Sequence, residues 1–74
     1  MGVVEIDNRG LQPPEPMVRI LEALSRLKAG ETLEALMDRE PLLLYPELER
    51  RGFAWEFTER GDGSLLSIRR TAGP

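Results

Sequence analysis

The sequence predicts a two-layer α/β sandwich with the element order β-α-β-α-β-β, in which two helices cover one face of a four-stranded mixed sheet. Three observations support this fold class. Short alternating segments are typical of half-buried strands, one long segment has apolar residues at helical spacing, and prolines and glycines separate these segments. A strand, a helix and a strand in succession normally form a right-handed crossover with the two strands parallel.

The first strand is predicted in the tetrapeptide VVEI, which alternates and places Val4 and Ile6 on one face. The sequence DNRG that follows is predicted to be a loop. In this loop Gly10 is free to take a positive φ, and Asp7 or Asn8 is expected to bond local backbone amides.

The prolines of the motif PPEP are predicted to begin the first helix. Pro14 suits the first helical position and Pro16 lies within the first turn, where a backbone amide has no partner inside the helix. Glu15 adds a negative charge at the positive end of the helix dipole. The helix is expected to stop at Gly30, after Lys28. Its single apolar stripe consists of Met17, Ile20, Leu21, Leu24 and Leu27.

The second strand is predicted over residues 31–38, because its apolar residues alternate with polar ones. Its core-facing residues are expected to be Leu33, Ala35 and Met37. The sequence PLLLYPELERRG is predicted to be the second helix, with Gly52 as its stop. Pro46 lies inside this helix, so its first turn is expected to be irregular and the regular helix to begin near Tyr45.

The last two strands are predicted to form a hairpin in which FAWEFTE pairs with LLSIRR across the turn RGDGS. Gly61 and Gly63 are available for left-handed conformations in that turn. Trp55 and Tyr45 are expected to be core residues; the alternative is a stacking platform for a nucleic-acid base. The whole chain, residues 1–74, is predicted to be one domain with its core over residues 3–70 and a frayed tail at residues 71–74.

The open face of the predicted sheet is mainly polar. Its expected residues are Glu5, Thr32, Glu34, Glu56, Thr58 and Ser67, with Val3, Leu36 and Leu65 as apolar exceptions. These exceptions are either ordinary surface residues or the contact of a homodimer.

The composition excludes several classes of chemistry. The chain has no cysteine and no histidine, which removes disulfides, zinc sites and nucleophilic catalysis based on Cys/His or Ser/His pairs. We therefore expect a protein that is not an enzyme and has no cofactor. The net charge of −3 argues against non-specific binding of nucleic acid. No apolar run approaches the roughly 20 residues of a membrane span, so a cytoplasmic protein without membrane contact is expected.

One edge of the sheet is the candidate site, because ligands usually bind beyond the carboxyl ends of parallel strands. The residues predicted to meet there are Asp7, Arg9, Glu15, Asp38, Arg39 and Glu40. The alternative is structural: the aspartates cap the helix starts and an arginine pairs with them. A metal ion is disfavoured by the arginines and by the lack of calcium-loop spacing.

The segment DNRGLQPPEPMVRILEAL resembles the opening of the TusA/SirA sulfur-carrier family, in which a strand and a glycine loop lead to Cys-Pro-x-Pro at a helix start. The sequence of Pro14, Glu15 and Pro16 matches Pro-x-Pro, and Pro13 stands where the family has its cysteine. The chain is still more similar to a related cysteine-free family of unknown function, through the block DREPLLLYPELERRGF. The resemblance spans residues 3–70.

The resemblance implies the sheet order 1-2-4-3 with strand 4 antiparallel to the others, a fold also likened to the C-terminal domain of a bacterial translation initiation factor. It does not carry persulfide transfer across, since Pro13 has neither sulfur nor an ionisable atom. Three functions stay open. The first is a non-catalytic module that binds a protein or small anion. The second is an accessory in sulfur metabolism or in redox metabolism linked to nitrogen oxides, acting with a partner that supplies a cysteine or metal, and the third is RNA binding on the open sheet face.

Overall fold

The computed structural model describes residues 2–71 of the chain. The strands are β1 (Gly2–Asp7), β2 (Glu31–Met37), β3 (Phe53–Arg60) and β4 (Gly63–Arg70). The α-helices are α1 (Glu15–Ser25) and α2 (Tyr45–Arg50), and a 3-10 turn at Leu42–Leu44 leads directly into α2. The sheet order is β1-β2-β4-β3, with β1 and β2 parallel and the other two pairs antiparallel. The predicted α/β fold and strand order are confirmed.

One hydrophobic core lies between the helices and a single face of the sheet, and it follows the predicted alternation. Its buried members are Ile20, Leu24, Leu27, Leu33, Ala35, Met37, Leu44, Leu48, Phe53, Leu66 and Ile68. Tyr45 and Trp55 pack against this core and stack on each other, with ring centroids 4.8 Å apart and planes 18° from parallel. Both rings are partly buried at the margin of the core, and a role in stacking on a nucleic-acid base stays a prediction.

Helix α1 is shorter than predicted at both ends. Pro14 is the residue that precedes the helix rather than its first position, and the Pro13–Pro14 peptide bond is cis. The helix ends at Ser25 instead of continuing to Lys28. The reason is a turn closed by Glu31, whose side chain accepts a hydrogen bond from the Lys28 amide at 2.7 Å while its own amide donates to the Lys28 carbonyl at 3.0 Å.

The second helix agrees with the sequence, whereas the hairpin differs in its turn and at one glycine. The irregular first turn of the helix is the 3-10 turn, and the regular helix begins at Tyr45 as predicted. The predicted turn RGDGS is shorter than expected, because β3 runs to Arg60 and β4 begins at Gly63, which leaves only residues 61–62 between them. Gly63 has a positive φ of 143°, whereas Gly61 does not, so the prediction for Gly61 was wrong: one glycine is enough to close this turn.

Thr71, assigned to the frayed tail, donates two hydrogen bonds of 2.9 Å to the Gly52 carbonyl. The rest of that tail, residues 72–74, lies outside the described part of the chain.

The open face of the sheet has an acidic row across its middle. Strand pairing places Glu5 beside Glu34, then Ser67, then Glu56. Val3 is 58% exposed on the same face, while Leu36 and Leu65 lie opposite each other and are partly covered. Between residues 2 and 71 no three acidic side chains are grouped closely enough to hold a metal ion. In the same range no helix has the length and apolar character needed to span a bilayer.

Candidate functional site

The loops that follow β1 and β2 are bonded together at one edge of the sheet. The Asn8 amide donates to the Leu36 carbonyl at 2.8 Å, which continues the parallel pairing by one residue. Asp38 then accepts a 2.7 Å hydrogen bond from the backbone amide of Gly10. Gly10 has a φ of 78°, a conformation that side chains with a Cβ rarely adopt, so the glycine allows the loop to present its amide to Asp38.

These loops and the start of α1 enclose a cavity of about 380 Å³, which we call the edge groove. This volume lies within the range of roughly 300–1,000 Å³ that is typical of ligand pockets. The groove is lined by residues 37–44 and by Asn8, Leu11, Pro13, Pro14, Pro16 and Met17. Most of these side chains are apolar, so the groove is suited to an apolar group.

The groove has a buried inner wall and an exposed outer rim. Met37 and Leu44 on the inner wall are almost completely buried. Leu42 and Leu43 on the rim are 65% and 86% exposed. The 3-10 turn explains this difference, because only Leu44 of its three leucines is buried in the core. The result is a pair of neighbouring leucines held in contact with solvent at the mouth of the groove.

Asn8 lies on the inner wall and is only 2% exposed. Its Nδ2 donates to the Pro16 carbonyl at 3.0 Å and contacts the sulfur of Met37 at 3.7 Å. Its Oδ1 is buried and accepts no hydrogen bond from any residue between 2 and 71. Buried acceptors are normally satisfied, because an unpaired one costs roughly 1–3 kcal/mol. The sequence had suggested only a local turn role for Asn8.

Three of the six predicted site residues, Asp38, Arg39 and Glu40, line the edge groove together with the prolines of the PPEP motif. Glu40 accepts a 2.9 Å hydrogen bond from the Tyr45 hydroxyl, and partial burial together with this carboxylate raises the Tyr45 pKa above its usual range. Asp38 is bonded to the Gly10 amide. Arg39 is exposed, and within residues 2–71 it has neither an ion pair nor a side-chain hydrogen bond.

The other three predicted site residues do not line the groove. Asp7 lies on the open face of the sheet, where it pairs with Arg9 through contacts of 2.9 and 3.0 Å, and its carbonyl accepts a hydrogen bond from Arg19. Glu15 is exposed at the start of α1 and is absent from the groove lining. The structure therefore brings together half of the predicted set, and a function for these residues stays a prediction.

The sequence also offered a structural interpretation, in which the aspartates cap the helix starts and an arginine pairs with them. It was right about one ion pair and wrong about the helix caps. Arg9 does pair with Asp7. Neither Asp7 nor Asp38 caps a helix, since α1 and the 3-10 turn have no side-chain cap. Each aspartate instead accepts a hydrogen bond from a loop amide: Asp7 from the Arg9 amide at 3.0 Å, and Asp38 from the Gly10 amide.

We expect an acid titration to show that Arg9 lowers the pKa of the Asp7 carboxyl. Hydrogen bonds from the Arg9 side chain and amide lower the Asp7 pKa from 3.8 to about 2. The ionised form is the one stabilised, so this contribution is present above pH 3.8 and is lost as the pH falls through about 2. In the variant Arg9→Gln the Asp7 pKa should rise toward 3.8, as measured by carboxyl-carbon NMR. An unchanged Asp7 pKa in this variant would show that the Arg9 guanidinium does not stabilise the ionised carboxylate.

Residues 5–70 match the model of a protein family described as an uncharacterized conserved protein (DUF2249). No curated protein and no solved structure matches the chain. The matched span contains every residue that lines the edge groove.

Proposed function

Because the chain belongs to the DUF2249 family of uncharacterized conserved proteins and the whole edge groove lies within the matched span, we propose that it is a non-catalytic module that binds a protein partner in this groove. The observation that carries the proposal is the apolar rim. Leu42 and Leu43 are exposed side by side at the mouth of an apolar cavity. Exposed apolar surface that is continuous with a cavity and has polar residues beside it is typical of interaction sites.

The side chains of the groove favour binding over catalysis. The sequence has no cysteine or histidine, so Asp38 and Glu40 are the titratable acids available at this site. Both already accept hydrogen bonds that tie the surrounding loops together. These bonds give both carboxylates a structural part in shaping the groove. Among residues 2–71, no other side chain that lines the groove offers a nucleophile or a proton-transfer partner for them.

A second candidate is an accessory role in sulfur or redox metabolism. Pro13 lines the groove at the position where the TusA/SirA resemblance expects a reactive cysteine. A module that kept the scaffold and lost the thiol would need a partner that supplies a cysteine or a metal. Identification of the captured partner decides this point, because a partner with neither a reactive cysteine nor a metal centre would contradict the accessory role.

The open sheet face is a weaker candidate for binding. Its row of Glu5, Glu34 and Glu56 would repel the phosphates of RNA. Two copies packed through this face would also bring the same charges together, which disfavours the homodimer suggested by the sequence. We therefore expect a monomer in sedimentation equilibrium. A stable dimer that Glu34→Ser strengthens would show that this face is an interface.

Substitution of Arg39 tests the proposal that the edge groove binds a protein partner. Because it is exposed and unpaired among residues 2–71, Arg39→Ala should change the free energy of unfolding by less than about 1 kcal/mol. If the groove binds a partner, the amount captured from an extract of the source cells should fall several-fold. The matched control is Arg26→Ala, which removes an exposed arginine outside the groove and should leave capture unchanged.

Three results would contradict the role given to Arg39. Capture at the wild-type level by Arg39→Ala would show that the partner does not contact this side of the groove. A loss of several kcal/mol in stability would show instead that Arg39 belongs to the scaffold. Equal losses of capture in Arg39→Ala and Arg26→Ala would point to overall charge and not to the groove.

A further inference from the structure

The sheet ends on one side at β3, whose outer backbone groups have no partner within residues 2–71. The Gly52 carbonyl accepts from the Thr71 amide, which extends the ladder between β3 and β4 by one pair. Backbone groups alternate in direction along a strand, so every second residue counted from Gly52 faces β4. The amides and carbonyls of Trp55, Phe57 and Glu59 therefore point outward, and the described residues give them no hydrogen bond. We call these outward groups the β3 edge.

The β3 edge lacks most of the features that block pairing at the side of a sheet. Edge strands are normally protected by prolines, bulges, lysines or short length. β3 is 8 residues long, contains no proline or lysine and keeps an unbroken register with β4. β1 at the other side of the sheet is 6 residues long, and its outward Asp7 carbonyl already accepts a 2.9 Å hydrogen bond from Arg19. Of the two sides of the sheet, β3 is therefore the more open to another strand.

The side chains of β3 define what an added strand has to carry. Trp55 and Phe57 lie on the core side and are only partly buried, so their rings leave apolar surface at the edge. Glu56 lies between them on the open face, exposed and without an ion pair among residues 2–71. It is the last member of the acidic row that begins with Glu5. An added strand matches this edge when apolar side chains lie beside the rings and a basic side chain lies opposite Glu56.

We propose that the β3 edge binds an extended segment of a partner protein as an additional antiparallel strand, with apolar residues opposite Trp55 and Phe57 and a lysine or arginine opposite Glu56. In this mode of recognition main-chain hydrogen bonds supply affinity and alternate side chains supply specificity. A second copy of the chain matches the edge less well, because it carries the same carboxylates. The β3 edge shares no residue with the edge groove, so this proposal goes beyond the proposed function and does not depend on it.

The test uses the intact chain labelled with ¹⁵N and four blocked peptides. The first is acetyl-Lys-Val-Lys-Val-Lys-amide, whose central lysine meets Glu56 when its valines lie opposite Trp55 and Phe57. The second has glutamate in place of each lysine. The third and fourth are the first peptide methylated on both valine amides or on the amide of the central lysine. In antiparallel pairing the valine amides reach the β3 edge and the central lysine amide points away from it. Dissociation constants come from NMR titration.

The lysine peptide should shift the amides of Trp55 and Phe57 and slow their hydrogen exchange, because they gain acceptors. Methylation of the valines should weaken binding about tenfold, as expected for the loss of two main-chain hydrogen bonds, while methylation of the central lysine should have little effect. The glutamate peptide should not bind in the same concentration range. The variant Glu56→Gln should weaken binding of the lysine peptide about twofold to fivefold. Its matched control is Glu5→Gln, which removes the same charge from the opposite side of the sheet and should leave binding unchanged.

Several results would overturn the proposal. Equal binding of the two methylated peptides, or the opposite ranking, would contradict an added antiparallel strand. A glutamate peptide that binds as tightly as the lysine peptide would contradict a basic segment. Shifts confined to Val3 and Glu5 would place the peptide on β1, and shifts confined to Leu42 and Leu43 would place it in the edge groove. The absence of shifts at millimolar peptide would leave β3 without a binding role. Shifts at Trp55 that grow as the chain alone is concentrated would identify a second copy as the occupant.

Discussion

Replacement of Leu43 by glutamate is expected to lower partner capture at least tenfold while the fold is kept. Leu43 is 86% exposed, so the substitution should change the free energy of unfolding by no more than about 0.5 kcal/mol. In a complex the new carboxylate would have to lose water against an apolar surface. A penalty of about 1.4 kcal/mol already corresponds to a tenfold loss of affinity.

The matched control for Leu43→Glu is Val3→Glu. Val3 is 58% exposed on the open face of the sheet, so this variant adds the same charge at an apolar surface position away from the groove. Capture from cell extract, normalised to folded protein, measures both variants. Equal losses from the two variants would show that net charge controls capture and that the rim has no special part in it.

The largest effect on stability is expected from Leu48→Ala. Leu48 is fully buried and is the one buried residue of α2. A helix of 6 residues is too short to be stable by itself, so α2 depends on this contact with the core. The free energy of unfolding should fall by about 2–5 kcal/mol. For a domain of this length, stabilised in total by roughly 4–11 kcal/mol, that is a large fraction.

Urea denaturation measures this loss, and Glu49→Ala is its control. Glu49 is exposed on the same helix, so its replacement should be nearly neutral. The 3-10 turn that carries the groove rim leads directly into α2, so loosening α2 should also weaken partner capture. A change of less than 1 kcal/mol for Leu48→Ala would mean that α2 is held by contacts other than its buried leucine.

The order of elements and the core could be predicted because the apolar residues have the periods of strands and helices. Leu33, Ala35 and Met37 alternate without a break, and all three are buried. The ends of the helices and strands were harder to predict. The end of α1 is set by hydrogen bonds between Lys28 and Glu31, which no local period reveals.

Asp7 lies away from the edge groove because β1 is longer than predicted. β1 extends to Asp7, and the two-residue period then turns Asp7 to the same side as Glu5, away from the core. Had the strand stopped at Ile6, Asp7 would have been free to face the loop after β2. Alternate residues of a strand face opposite sides, so counting along the strand from Glu5 could have excluded Asp7 from the candidate site.

The edge groove could be recognised only from the tertiary structure. The unpaired oxygen of Asn8 depends on Pro16 and Met37, which come from different elements. The run LLL at residues 42–44 held a usable signal, because three consecutive residues of a helical turn cannot all face one core. Which leucine is buried could be settled only by the path of the chain into α2.

Site-specific photo-crosslinking tests the groove as the binding surface most directly. Two versions of the chain would have p-benzoylphenylalanine in place of Leu43 or of Val3, both exposed, and would be irradiated in an extract of the source cells. A groove that binds a protein partner predicts a discrete crosslinked adduct from position 43 and none from position 3. An adduct from position 3 alone, or none from position 43, would contradict the groove as the binding surface.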